Sequence, residues 1–176
     1  MGNGGKILRL TLSGLIATLG LALTSGSALA SECREDQVHL RGDWGQARFT
    51  VELADDDEER AQGLMGRESM ARSAGMLFVY PRPRLAGFWM KNTLIPLDMI
   101  FMDKTGTVTH VHHEAVPLDE RPIFGGDNIL AVLEINGGLA RQMGIAAGTQ
   151  LRHPAFDAAV AVWPCDSTEN ASGDDS

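Results

Sequence analysis

Apolar and polar positions alternate with a period of two in the first stretch beyond the N-terminal leader. Val38 and Leu40, then Ala47, Phe49, Val51 and Leu53, take every second position between polar neighbours. That spacing sends successive side chains to opposite faces of half-buried strands, with Gly42–Gly45 as the turn between them. Asp56-Asp57-Glu58-Glu59 follows. Asp56 and Glu59 form a capping-box pattern, and acidic groups in a first turn face the positive end of a helix. This predicts a helix from about Asp57 to Met65, with Ala61, Leu64 and Met65 on its buried side and Gly66 as its stop. A helix start explains the acidic run better than a cation site does.

Short apolar runs make up most of the rest. Gly75 to Tyr80 predicts a buried strand ended by Pro81 and Pro83. Further strands are predicted at Phe88–Lys91, Leu97–Met102, Thr107–Ala115, Ile129–Ile135, Thr149–His153 and Ala159–Trp163. Asp103–Gly106 reads as a hairpin turn and Pro117–Asn128 as a polar loop. Asn136 is placed to cap a second helix, Gly138 to Met143, ended by Gly144. About eight or nine short strands with two short helices predict a mainly β fold with minor α+β character: an antiparallel β-sandwich or barrel-like sheet with the helices at its edges. No internal repeat and no domain boundary interrupts it.

The ends of the chain add a compartment. Lys6 and Arg9 precede an apolar run from Leu10 to Leu23, and Ala28-Leu29-Ala30 carries small residues where a signal peptidase reads. Residues 1–30 are therefore expected to be a cleaved secretory signal, with cleavage before Ser31. The run is short, and polar or glycine residues dilute it, so an anchor helix fits less well. Glu32, rather than a small residue, precedes Cys33, which argues against a lipoprotein. An exported chain with two cysteines most simply joins Cys33 to Cys165 in a disulfide, stapling both ends of one domain over residues 31–165. Loop entropy puts the upper stabilisation of so long a loop at roughly 5 kcal/mol. Residues 166–176 are small, polar and acidic and predict a disordered tail.

Composition narrows the partners. The 176 residues carry a net charge of −8, which becomes −10 when Lys6 and Arg9 leave with the leader. Such a chain argues against nucleic acid, whose phosphates demand clustered cations. No later segment is long and apolar enough to span a membrane. Periplasm or outright secretion, and a monomer, are the expectation.

Candidate chemistry concentrates in Phe88-Trp89-Met90-Lys91-Asn92-Thr93-Leu94-Ile95-Pro96-Leu97-Asp98, which brings an indole, a cation, an amide, a hydroxyl and a carboxylate together. With Gly63-Leu64-Met65, Gly75-Met76-Leu77-Phe78 and Val132-Leu133-Glu134-Ile135-Asn136-Gly137-Gly138, this run closely resembles the bacterial and archaeal family called domain of unknown function 192. The likeness runs from about Phe49 to Leu151. It implies a compact, β-rich, often exported domain with no established activity. The family's motif positions fall on Trp89, Lys91, Asn92, Thr93, Pro96, Asp98 and Glu134. Gly66 departs from the bulkier residue expected after Gly63-Leu64-Met65, which touches local packing there.

On a strand, Trp89, Lys91 and Thr93 would share one face, with Met90 and Asn92 on the other. Lys91 is suited to an anionic group and Trp89 to stacking on a ring. Asp98 is placed to orient Lys91 or to act as a base, and Glu134, in an apolar strand, must be paired or on a wet face. The plain alternative is a structural network with Lys91 paired to Asp98 or Glu134. His110 and His112 share a strand face, with His113 opposed. They are weak metal candidates that need Glu114 or Asp119 to complete a site. Seven methionines after the leader are scattered among apolar strands and read as core filling. Arg82, Arg84 and Lys91 form a small positive patch. No nucleophile elbow, P-loop, dinucleotide loop or zincin motif is present, so no cofactor is implied.

The leading expectation is an exported single-domain protein that binds a small molecule or envelope component at Trp89, Lys91, Asn92, Thr93 and Asp98, with Glu134. One alternative is an envelope enzyme that uses Asp98 or Glu134 as acid or base, with Lys91 stabilising developing charge. The other is an interaction module in which the Lys91/Asp98 network is structural.

Overall fold

The computed structural model describes residues 1–2 and 33–165. Nearly all of the expected leader, its cleavage point and the acidic tail lie outside the described residues. The alternating segments pair as their spacing predicts. β1 (Gln37–Gly42) and β2 (Gly45–Ala54) form a hairpin with Val38 opposite Phe49 and Leu40 opposite Ala47. Val38, Leu40, Phe49 and Val51 are buried, and the polar residues between them are not.

The helix α1 (Asp57–Gln62) starts as its sequence dictates. The Asp56 carboxylate accepts the Glu59 N–H at 2.8 Å, and Glu59 reaches back to the Asp55 N–H at 3.2 Å. It ends before Met65, because Gly63 takes φ 48° and its N–H closes on the Glu59 carbonyl. Glycine enters that left-handed region without a Cβ penalty. Ala61 is exposed, and Leu64, beyond the helix end, is the residue that inserts into the core.

The strand β3 (Ala74–Arg84) runs parallel to β2, so the sheet is not wholly antiparallel. A parallel neighbour needs a crossover, and α1 lies within it. β3 also continues past Pro81 and Pro83. Its ladder with β8 (Ile129–Asn136) steps from Val79 opposite Ala131 to Arg84 opposite Ile129. The prolines, which have no N–H to donate, fall in the irregular stretch that the ladder skips. The short β4 (Gly87–Phe88) pairs with β7 (Ile123–Phe124), a strand inside the expected Pro117–Asn128 loop.

With β5 (Leu97–Met102), β6 (Val108–Ala115) and β9 (Gln150–Arg152), the main sheet has seven strands in the order β6-β5-β8-β3-β2-β1-β9. It curls into a half-barrel whose edges meet at one end. The Val108 N–H donates to the Thr149 carbonyl and the Leu151 N–H to the Gly106 carbonyl, both at 2.8 Å. One apolar cluster, including Val38, Leu40, Leu77, Ile100, Leu133 and Leu151, fills the curl. A second, including Met76, Phe78, Met90, Met99, Phe101 and Val132, lies on the opposite face beneath the segment leading through Phe88 to Ile95. Met76, Met90, Met99 and Met102 are buried in these clusters, as core filling requires.

The two cysteines are joined, Cys33 to Cys165, with their Cα atoms 5.5 Å apart. The expected closing strand at Ala159–Trp163 is instead a turn, in which the Asp157 carbonyl accepts the Val160 and Ala161 N–H groups. Trp163 is buried there, with the guanidinium groups of Arg41 and Arg152 over its ring at 4.3 and 4.7 Å. Asn136 does not cap α2 (Leu139–Met143). It ends β8, and its side-chain amide donates to the Met70 and Ala71 carbonyls.

Candidate functional site

Asp98 and Glu134 lie on neighbouring strands, but the pleat sends them to opposite faces. Asp98 pairs with Ile135, while Glu134 pairs with Met99 on one side and Met76 on the other. Glu134 therefore points into the second cluster, and Asp98 away from it.

Asp98 is fully buried and fully employed. Its carboxylate accepts the N–H groups of Glu114, Gly138 and Ala140 at 2.8, 2.9 and 2.7 Å. Two of these are orphan donors at the start of α2, so Asp98 caps that helix from a strand far away in sequence. The His113 Nδ1 lies 3.9 Å from it and has no hydrogen-bond partner. Lys91 is not among its partners, which removes the expected Lys91–Asp98 pair.

Glu134 is only 4% exposed, and among the described residues its carboxyl has no hydrogen bond and no ion pair. It is neither paired nor on a wet face, contrary to the sequence expectation. Burial pushes its carboxyl up to about 8, so the neutral form prevails at pH 7. The side chain lines a cavity of about 90 Å³ together with Arg60, Leu64, Tyr80, Phe88, Trp89 and Thr93. Burial, reinforced by the Glu134 charge, raises the Tyr80 hydroxyl above its ordinary value, while Arg84 and Arg60 oppose the rise.

The segment after Phe88 is a loop, not the strand its alternation predicts. Met90 and Thr93 are buried, while Trp89 is 48% exposed. Backbone bonds from the Met90 N–H to the Asp119 carbonyl and from the Gly66 N–H to the Asn92 carbonyl, both 2.8 Å, override the alternation. Gly66 stands at φ 75°, and an added Cβ would meet nothing there. Asn92 takes φ 54°, a left-handed conformation that asparagine tolerates well. Trp89 and Thr93 face the cavity; Lys91 instead lies 5.1 Å over the outer Trp89 ring. The fold thus gathers Trp89, Thr93 and Glu134 in one place, leaves Lys91 and Asn92 at the loop surface, and puts Asp98 elsewhere.

The cavity also uses residues that sequence reasoning did not single out as site residues: Arg60, Phe78, Tyr80 and Phe88. A signal was present. Gly63-Leu64-Met65, Phe78, Phe88-Trp89 with Thr93, and Glu134 come from the four separated segments that carry the family likeness, and all of them line this cavity.

The histidines do not assemble a metal centre. His110 and His112 pair with Phe101 and Met99 on β5. Glu114 binds Arg141 at 3.0 Å, and Asp119 is engaged by Arg121, which holds its carboxyl down at about 2. Among the described residues, no group of three or more His, Cys, Asp or Glu side chains is placed to hold an ion. Burial, with His110 and His113 nearby, lowers His112 below its ordinary value. In the Arg82–Arg84 patch, Arg84 lies 5.1 Å over the Tyr80 ring.

These features define a small curled β-sheet domain with a carboxyl-bearing pocket on its outer face. The chain belongs to the DUF192 family, described as uncharacterized ACR, whose profile matches residues 38–153. It is similar to a protein of unknown function from Novosphingobium aromaticivorans at 43% identity and a TM-score of 0.64, over 65% of this chain and 82% of that one. It is also similar to a proposed transcription regulator from Sinorhizobium meliloti at 38% identity and a TM-score of 0.67, over 71% of this chain and 98% of that one. No curated protein matches the chain.

Proposed function

We propose that this is an exported protein that binds a small molecule of the cell envelope in the cavity around Glu134. The carrying observation is a buried carboxyl with no protein partner that faces open space. Burying such a group unsatisfied costs about 1–3 kcal/mol, and a ligand that supplies the missing bonds recovers that cost. Trp89 flanks the cavity with half its surface exposed, ready to cover an occupant. Thr93 supplies a hydroxyl. Lys91 and Asn92 shape the loop at the rim, and Asp98 holds the scaffold rather than the ligand.

The Cys33–Cys165 bond supports an oxidising compartment, and no helix among the described residues is long and apolar enough to cross a membrane. In this reading residues 1–30 are removed before Ser31, residues 31–165 form the domain and residues 166–176 are a tail, with the periplasm as destination. The net charge of −8 argues against carrying over the regulator description if that regulation means binding nucleic acid.

The test is native against denatured mass of the protein purified from its own periplasm. The denatured mass is expected to begin at Ser31 and to lack two hydrogens. Extra native mass is expected in the wild type and absent in Glu134→Gln. The same extra mass in both, or none in either, overturns a tightly filled Glu134 site.

An interaction module is favoured by one further observation. Trp89, Leu94, Val116, Leu118 and Phe124 are all exposed on the segments covering the second cluster. Under that reading Leu118→Ser abolishes partner capture while Glu134→Gln leaves it unchanged.

A further inference from the structure

We infer that the Glu134 cavity is built for the ammonium head of an organic amine, an assignment that rests on the small-molecule reading above and gives it a chemical class. Four aromatic side chains, Phe78, Tyr80, Phe88 and Trp89, line the space with the single carboxyl. Aromatic faces are electron-rich and attract cations, and recognition of substituted ammonium groups is a recurring use of such walls. Two of these rings, Tyr80 and Trp89, already attract the protein's own cations. Arg60 and Arg84 lie 5.6 and 5.1 Å from the Tyr80 centroid, and Lys91 lies 5.1 Å from that of Trp89.

The charged groups around Glu134 fit the same class. From α1 comes Arg60, already committed: one guanidinium nitrogen is 2.6 Å from the Asp57 carboxylate and another donates to the Val79 carbonyl at 2.8 Å. From β3 comes the Tyr80 hydroxyl. The flanking partners on β3 and β5, Met76 and Met99, bring no charge. Lys91, on the covering loop, is held over Trp89. Glu134 is thus the one carboxyl lining the cavity, and among the described residues no cation of the protein pairs with it. An anionic occupant would face a carboxyl that repels it when ionised. A neutral one would leave the charged form without a partner. A cation pairs with it and stabilises the charged form.

Binding then releases the Glu134 proton. Because burial holds this carboxyl near 8, apparent affinity for a cation must rise with pH up to that value and level off above it. A quaternary ammonium, which has no proton of its own to lose, isolates this dependence.

The experiment titrates the disulfide-bonded chain with choline, with its neutral isostere 3,3-dimethylbutan-1-ol and with acetate, following tryptophan fluorescence and cavity methyl resonances at millimolar probe. At pH 8.5 choline is expected to bind at least about tenfold tighter than the alcohol, and to weaken about tenfold per pH unit from 8 to 6. Glu134→Gln, nearly the same shape, is expected to bring the two probes level. If the alcohol equals choline, or acetate binds best, the ammonium assignment falls and the cavity reading stands. If no probe perturbs Trp89 or the methionine methyls around Glu134, both fall.

Discussion

Two buried carboxyls on adjacent strands have opposite fates. Asp98 meets three backbone N–H groups within 2.9 Å, whereas Glu134 meets none. Both are nearly or fully hidden from water, so burial alone does not distinguish them. What separates them is the face of the sheet. Asp98 opens onto the start of a helix, where orphan donors await an acceptor. Glu134 opens onto aromatic side chains and a void. A buried charge fully satisfied by backbone is part of the scaffold. One left unsatisfied beside a cavity is retained at a cost, and function is the economical explanation.

That contrast breaks most visibly at Asp98. Asp98→Ala strands three donors, two of them at the start of α2, and is expected to lower stability by about 4 kcal/mol in urea denaturation. A loss below ~1 kcal/mol would mean that water replaces the carboxylate and that Asp98 is not structural.

Glu134 gives the opposite sign and a pH signature. Its folded value, about 8, lies above the ordinary 4.5. The wild type is therefore most stable below about pH 4.5 with respect to this group and loses stability as pH rises through 8. Glu134→Gln removes that loss. At pH 9 it is expected to be about 2 kcal/mol more stable than wild type, less than the full shift implies because the cavity admits water, and at pH 5 the two should nearly coincide. Parallel stability curves across that range would show that Glu134 is not held neutral.

Smaller effects belong to the covering loop. Thr93→Val removes a buried hydroxyl that donates to the Lys91 carbonyl at 3.3 Å and should cost about 1 kcal/mol. Calorimetric melting of the variant checks this. Trp89→Ala, at an exposed position, and Lys91→Ala, at a half-buried one, should each change stability by less than about 0.5 kcal/mol. The Trp89 change is nonetheless expected to weaken choline binding several-fold. A Trp89 variant that melts much earlier would make the ring a structural cover rather than part of a site.

Much of the scaffold was readable along the chain. The period-two positions from Val38 to Leu53 face the core, and Asp56 with Glu59 starts a helix, because both signals are local. The loop after Phe88 was not readable. Its alternation mimics a strand, but bonds to Asp119 and Gly66 decide its path. Pro81 and Pro83 looked like strand ends because the bulge that accommodates them depends on β8. Asp98 stood out as a carboxylate in the motif, but its role as acceptor for three backbone N–H groups could not be read there, since those partners lie 16, 40 and 42 residues onward. Glu134 stood out as a carboxyl in an apolar run, but that nothing would meet it is a three-dimensional fact.

The bond between Cys33 and Cys165 has one more consequence. It makes the domain a covalent ring, closed across a sequence separation of 132 residues. A single protease cut in the Pro117–Asn128 segment would then release no fragment. The nicked molecule would keep its mass on a non-reducing gel and fall into two pieces only on reduction. For the same reason, new termini opened at that segment, with residues 33 and 165 joined by a short linker in place of the bridge, should yield a circular permutant with the same sheet order.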